Sequence, residues 1–132
     1  MATQQVGTIA WGSLSFEMPL HTCSEKNVRE HWSTRARRVK AQRVATGVYF
    51  RMQPYAMRTR VVMPLVVTLT RLAPRALDDD NLARGLSAVR DEIAAQLGVD
   101  DRTPEISWVY MQWRGDPRQY GVKIEIQPRE VT

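Results

Sequence analysis

The chain has 132 residues, with 19 Lys and Arg against 14 Asp and Glu and a formal charge of +5. That length sets one domain, 1–132. The single cysteine, Cys23, excludes a disulfide framework and a thiolate zinc site and fits a reducing cytoplasm, and no apolar run approaches the ~18 residues of a membrane span.

The opening segment MATQQVGTIAWG lacks the basic and apolar blocks of a signal peptide, and residues 1–12 add at most a frayed edge strand. Residues 13–18 alternate, with Leu14, Phe16 and Met18 on one face, so they predict a strand ending at Pro19. A helix follows from near Ser24, capped by Ser24 or Asn27, with Val28, Trp32, Ala36 and Val39 as its buried stripe. Arg29, Arg35, Arg37, Arg38, Lys40 and Arg43 surround that stripe, and the helix fades between Gly47 and Pro54.

Val61 to Leu69 is rich in aliphatic residues and predicts a central strand, apolar on both faces. Pro64 inside it implies a bulge or an open edge, because proline has no N–H to give the ladder. Leu82, Leu86, Val89, Ile93 and Leu97 recur at helical spacing, and Gly98 closes that helix as its C-cap. Glu105 to Trp113 and Tyr120 to Ile126 predict two strands, joined through Arg114 to Arg118 as an antiparallel hairpin. The order is β-α-β-α-β-β, an α+β domain with two helices on one face of a mixed β-sheet.

Charge is unevenly shared. Residues 1–75 carry +9 and residues 76–132 carry −4. A basic protein seeks polyanions, of which nucleic acid is the commonest. Within the acidic half lies Leu77-Asp78-Asp79-Asp80-Asn81, with Asp100-Asp101 about twenty residues later. Read as extended backbone, Asp78 and Asp80 share a face and Asp79 points away. Two carboxylates on one side suit one or two hard cations such as Mg²⁺ or Mn²⁺, with water and phosphate completing the coordination. The competing reading is helix capping, for which Asp is ordinary. One Asp suffices for a cap, whereas three in a row repel unless a cation or basic group offsets them. The combination suggests a metal-dependent nuclease. A straight helix over 81–97 spans ~25 Å, so Asp101 reaches Asp80 only if the loop folds back or if it serves a second subunit.

The spacing Asp78-x-Asp80-Asn81-Leu82, a helix, then Asp100-Asp101 resembles the RusA family of Holliday-junction resolvases. Pro19 at a strand end, the Asn27-x-x-x-His31-Trp32 segment opening a basic helix, and the closing hairpin also fit. The resemblance covers roughly residues 13–127, and Asp78 to Asp101 is its most specific part. It implies a homodimer of phage or prophage type that cuts four-way DNA junctions symmetrically with Mg²⁺ or Mn²⁺. Carried over, Asp78, Asp80 and Asp101 are metal-binding carboxylates, with Asp100 close by. The family has Lys one turn into the helix where this chain has Arg84, which keeps the charge but does not readily release a proton.

Beside the acidic run, Arg71 and Arg75 are candidates for the scissile strand's phosphates, and Arg29, Arg35 and Arg38 for the duplex arms. His21 and His31 read as structural or surface residues. Among Trp11, Trp32, Trp108 and Trp113, core packing suits Trp32 and Trp108, and Trp113 is the best candidate to stack on an unpaired base. The expected partners are branched DNA and a second copy of the chain, with no membrane. The rival class is a nuclease-fold protein that binds DNA without cutting it. A third reading is a basic phage structural or packaging factor, which has no need of a carboxylate cluster.

Overall fold

The computed structural model describes residues 12–22 and 32–130. Strand β1 (Leu14–Met18) is followed by helix α1 (Trp32–Arg51), a single turn α2 (Tyr55–Arg58) and strand β2 (Leu65–Ala73). Helices α3 (Asp79–Gly85) and α4 (Ser87–Gln96) come next, then β3 (Ile106–Arg114) and β4 (Gly121–Pro128). The architecture is α+β, a mixed four-stranded sheet in the order β1-β4-β2-β3. Among the described residues no helix is long and apolar enough to cross a membrane.

Alternation places the core. Leu14, Ile126, Val67 and Trp108 are aligned across the four strands, as are Phe16, Ile124, Leu69 and Tyr110. These rows face Leu82, Leu86, Val89 and Ile93 of the helices and Phe50 of α1 in one core. The opposite sheet face carries Thr68, Thr70, Leu72, Val109, Met111 and Trp113. Strand β4 follows its pattern, with Val122, Ile124 and Ile126 buried and Lys123 and Glu125 outside.

The expected β3–β4 hairpin is absent. Strand β3 runs parallel to β2, and β4 lies antiparallel on the other side of β2. The α3–α4 crossover returns the chain to a parallel neighbour of β2. Residues 115–120 then pass the end of β2 to reach its far edge, with Gly115 N–H bonded to the Ala73 carbonyl at 2.9 Å. A hairpin and a crossing over one strand look alike in sequence, because both need Gly and polar residues between two strand patterns.

Two other strand and helix expectations shift. β2 begins at Leu65, so Pro64 stands before the ladder rather than bulging within it, and only its carbonyl is used, accepting from Arg129 N–H at 2.9 Å. One face of β2 is buried throughout, while on the other Thr70 is buried and Val66, Thr68 and Leu72 are half-buried. The helix expected over 82–97 is two helices, starting earlier at Asp79 and broken at Leu86 (φ −102°, ψ 6°). Gly98 (φ +76°) ends α4 as expected, with Val99 N–H on Ala94 O and Gly98 N–H on Ala95 O, both at 3.0 Å, the double bond of a Schellman motif.

The stripe expected on α1 is not its buried face. Trp32 is 75% exposed, Ala36 is exposed and Val39 half-buried. The buried residues are Gln42, Thr46, Gly47 and Phe50. The seam against α4 is made of small and polar groups. Thr46 Oγ1 donates to the Gln42 carbonyl at 2.8 Å, and Arg43 Nε meets Glu92 Oε1 at 3.1 Å. A Cβ on Gly47 would stand 2.9 Å from Glu92 Oε2 and 3.0 Å from Arg51 Nη1, so a larger residue there would push these side-chain ends aside. The segment of residues 1–11, the proposed caps Ser24 and Asn27, and Val28 lie outside the described residues.

Ile93 is fully buried where α4 meets the sheet. Ile93→Ala should therefore cost about 2–5 kcal/mol, read as a lower urea midpoint with an unchanged slope.

Candidate functional site

The acidic run sits at the carboxyl end of β2, where the chain leaves the sheet to start α3. Asp78 is the N-cap: its backbone is extended (φ −70°, ψ 168°) and its Oδ1 accepts from Asn81 N–H at 2.9 Å. Asp79 and Asp80 form the first helical turn, where a carboxylate is favoured by the helix dipole. The extended alternation expected to align Asp78 with Asp80 is thus replaced by a helical turn, in which residues two apart do not face each other. All three carboxylates are exposed at this corner. Asn81, the next residue, is 8% exposed, and its Oδ1 is buried without a hydrogen-bond partner.

A side chain of the sheet fixes the residue just before the acidic run. Gln112 of β3 donates from Nε2 to the Leu77 carbonyl at 2.6 Å and accepts from Leu77 N–H at 2.9 Å. This pair of bonds reproduces a strand pairing and sets where the acidic turn begins. Arg84, in the last turn of α3, is exposed and one turn beyond Asp80.

Asp101 belongs to a different cluster. The loop after α4 does fold back, but onto the middle of that helix. Arg90 Nε stands 3.1 Å from Asp101 Oδ2, and Arg90 Nη2 donates to the Asp101 carbonyl at 3.0 Å. Arg90 also donates to Tyr110 Oη at 2.7 Å and lies over the Trp108 ring, 4.9 Å from its centroid. Trp108 Nε1 donates to the same Asp101 carbonyl at 2.9 Å. Asp101 is therefore half-buried and held by a cation. Asp100, one residue away, is exposed and takes Arg102 N–H on Oδ1 at 2.8 Å. Hydrogen bonds from the Arg102 side chain and then its backbone hold the Asp100 carboxyl down at about 2. Among the described residues no three His, Cys, Asp or Glu side chains stand together as a metal-holding set. Asp78 and Asp80 are neighbours within one chain, whereas Asp101 and Asp100 are partnered elsewhere.

The arginines divide too. Arg71 lies in the core-facing row beside Gln112, only 5% exposed, with Nε on Thr22 Oγ1 at 2.9 Å and Nη1 on the Arg75 carbonyl at 2.7 Å. It ties β2 to the loop after β1 and to the segment before the acidic run. A guanidinium spent on internal groups is not a phosphate ligand, and that expectation is withdrawn for Arg71. Arg75 is exposed beside the acidic turn, and Arg35 and Arg38 lie on the solvent-facing part of α1. Arg29 and His31 lie outside the described residues. His21 stacks on Tyr120 with ring centroids 3.8 Å apart, a packing role.

Sequence reasoning missed Arg90 and Gln112. Each does its work through partners eleven or more positions away, and neither stands in a recognisable motif. Asn81 was visible only as part of the acidic run.

The cation site, tested against these residues, is met in part. Asp78 and Asp80 are exposed hard oxygen donors of the kind that suit Mg²⁺ or Mn²⁺, whereas the Asn81 oxygen is buried. A third carboxylate from the same chain is not among them.

Two outcomes follow. Asp78→Ala should cost about 1 kcal/mol and Asp78→Asn almost nothing, because Asn caps as well as Asp; paired thermal melts measure this. The Asp91 carboxyl is pushed up, first by burial and then by the neighbouring Asp101 charge, while Arg43 and Arg90 pull it down. A raised folded-state value means the ionised form is a liability at neutral pH, and the native state gains stability as pH falls toward 3.8 and Asp91 is protonated. Asp91→Asn should raise the melting temperature at pH 7, and the gain should vanish below the ordinary carboxylate value.

Compared with protein-family models the chain has no match, and compared with curated proteins it has none.

Proposed function

We propose that this chain is a divalent-metal-dependent endodeoxyribonuclease acting on branched DNA, of which four-way junctions are the expected form. The observation that carries this reading is the acidic corner at the end of β2. Three exposed carboxylates stand in succession at the start of α3 in a protein of net charge +5. Carboxylates repel a phosphate backbone, so a nucleic-acid protein gains from such a corner only when a cation sits between the two.

In this mechanism the exposed carboxylates of Asp78 and Asp80 would hold the cation. Bound there, Mg²⁺ or Mn²⁺ would polarise the scissile phosphodiester and activate the attacking water. Arg84, one turn along the exposed side of α3, would clamp a phosphate oxygen and offset developing negative charge. Arg75, just before the corner, would position the strand. Arg35 and Arg38 on α1 would hold the duplex arms through phosphates. Two symmetric cuts need two such corners related by a dyad, so the working species is taken as a homodimer. In a dimer Asp101 would join the corner of the other subunit only by leaving Arg90.

A second reading is favoured by that same Arg90–Asp101 pair and by Arg84: a protein of this fold that binds junctions without cutting them. Asp80→Asn separates the two. It leaves the Asp78 cap in place, so stability should change by less than about 1 kcal/mol. Cleavage of a labelled four-way junction in Mg²⁺ or Mn²⁺ should be abolished, and junction binding kept or tightened as repulsion of phosphate falls. Wild-type-like cleavage by Asp80→Asn, with an unchanged melt, would refute the assignment. Absence of cleavage by the wild type, with binding intact, would favour the second reading.

A further inference from the structure

On the face of the sheet away from the helices, a cavity of about 330 Å³ opens at the end of β2 where the acidic run begins. Its walls are Leu72, Trp113 and Tyr120, and Thr70 lies in it with a hydroxyl. Trp113 is 54% exposed on an edge strand, an unusual place for an indole without a partner of matching shape. Tyr120 is steadied from outside by its stack on His21. Lys123 reaches toward the Trp113 ring, its Nζ 5.7 Å from the centroid.

The charges choose among ligands. Lys123 is opposite Glu17 across the β1–β4 pair and 3.9 Å from Glu125 Oε2. A cation so balanced does not attract a phosphate. What remains is a flat, apolar, aromatic-walled space with a hydroxyl and an ammonium at hand, which suits a neutral heteroaromatic ring with polar edges.

Its place in the fold names the source of that ring. Gln112 points to the core face and fixes Leu77, while its neighbour Trp113 points to the open face. The acidic corner and the cavity are thus on opposite sides of one strand end. A single strand draped over that end would bring a phosphate to the corner and the base of a neighbouring nucleotide to Trp113. We infer that the cavity receives an unpaired nucleobase of the DNA, stacked on Trp113, beside the phosphate held at Asp78 and Asp80. This rests on the branched-DNA reading and adds that the protein reads unpairing, which phosphate contacts cannot do.

The test is equilibrium binding of the full chain in EDTA, so that cleavage plays no part. The probes are a fluorescent oligothymidine, a four-way junction with unpaired bases at its centre, and a matched duplex. Trp113→Ala should weaken the first two by about tenfold, the order of one base–aromatic stack, and leave the duplex within about twofold. Trp113→Phe should restore most of the loss, because a ring is kept. Equal losses on all three probes, or none, would overturn the inference while leaving the nuclease reading intact. Failure of the wild type to bind any of the three would overturn both.

Discussion

Everything in this molecule depends on β2 being paired along both edges and packed on its inner face. It is the one strand with β4 on one side and β3 on the other, and Leu65, Val67 and Leu69 are fully buried beneath the helices. Once a strand so apolar is central, the chain that leaves it must cross over the core face to return in parallel, and the helices α3 and α4 are that crossover. The acidic run stands where it does because a connection from the end of a central strand begins there. Open sheets commonly place ligands at such carboxyl ends.

The carboxylates divide according to what lies near them. At the β2 corner they face solvent and the helix dipole, with Arg84 and Arg75 at a distance, and one of them caps α3. Around α4 three are answered: Asp101 by Arg90, Asp100 by Arg102 and Glu92 by Arg43. The corner group keeps its charge available to an outside partner. Exposed ion pairs such as Asp100–Arg102 contribute little to stability, but they do remove a carboxylate from the pool that a cation can reach.

Much of the fold was legible because it rests on local alternation. Residues 14–18 and 121–126 carry strict period-two patterns, and Leu82 to Ile93 a helical one, so their inner faces were readable. What was not legible rests on long-range choices. Nothing in Arg114 to Tyr120 distinguishes a hairpin from a passage over one strand, since both satisfy the same turn chemistry. The α1 stripe misled because a seam of Gln42, Thr46 and Gly47 is polar and small, invisible to a search for hydrophobic periodicity. The acidic corner was found from spacing alone. The helix length already set Asp101 apart from Asp80, but what holds Asp101 was not legible, because that depends on Arg90 meeting Tyr110, Trp108 and the folded-back loop at once.

The pairing of β1 with β4 has a kinetic meaning. Leu14 is registered against Ile126, 112 positions further along, and this late strand also closes the second edge of β2. The helical crossover can collapse early from near neighbours, but the sheet completes only when two distant parts of the chain find each other. Loop-closure entropy therefore falls on the last step, and folding should be slow for a chain of this size. Until then one edge of the most apolar strand stands unpaired, which makes the interval before β4 docks the moment of greatest exposure to association with other chains.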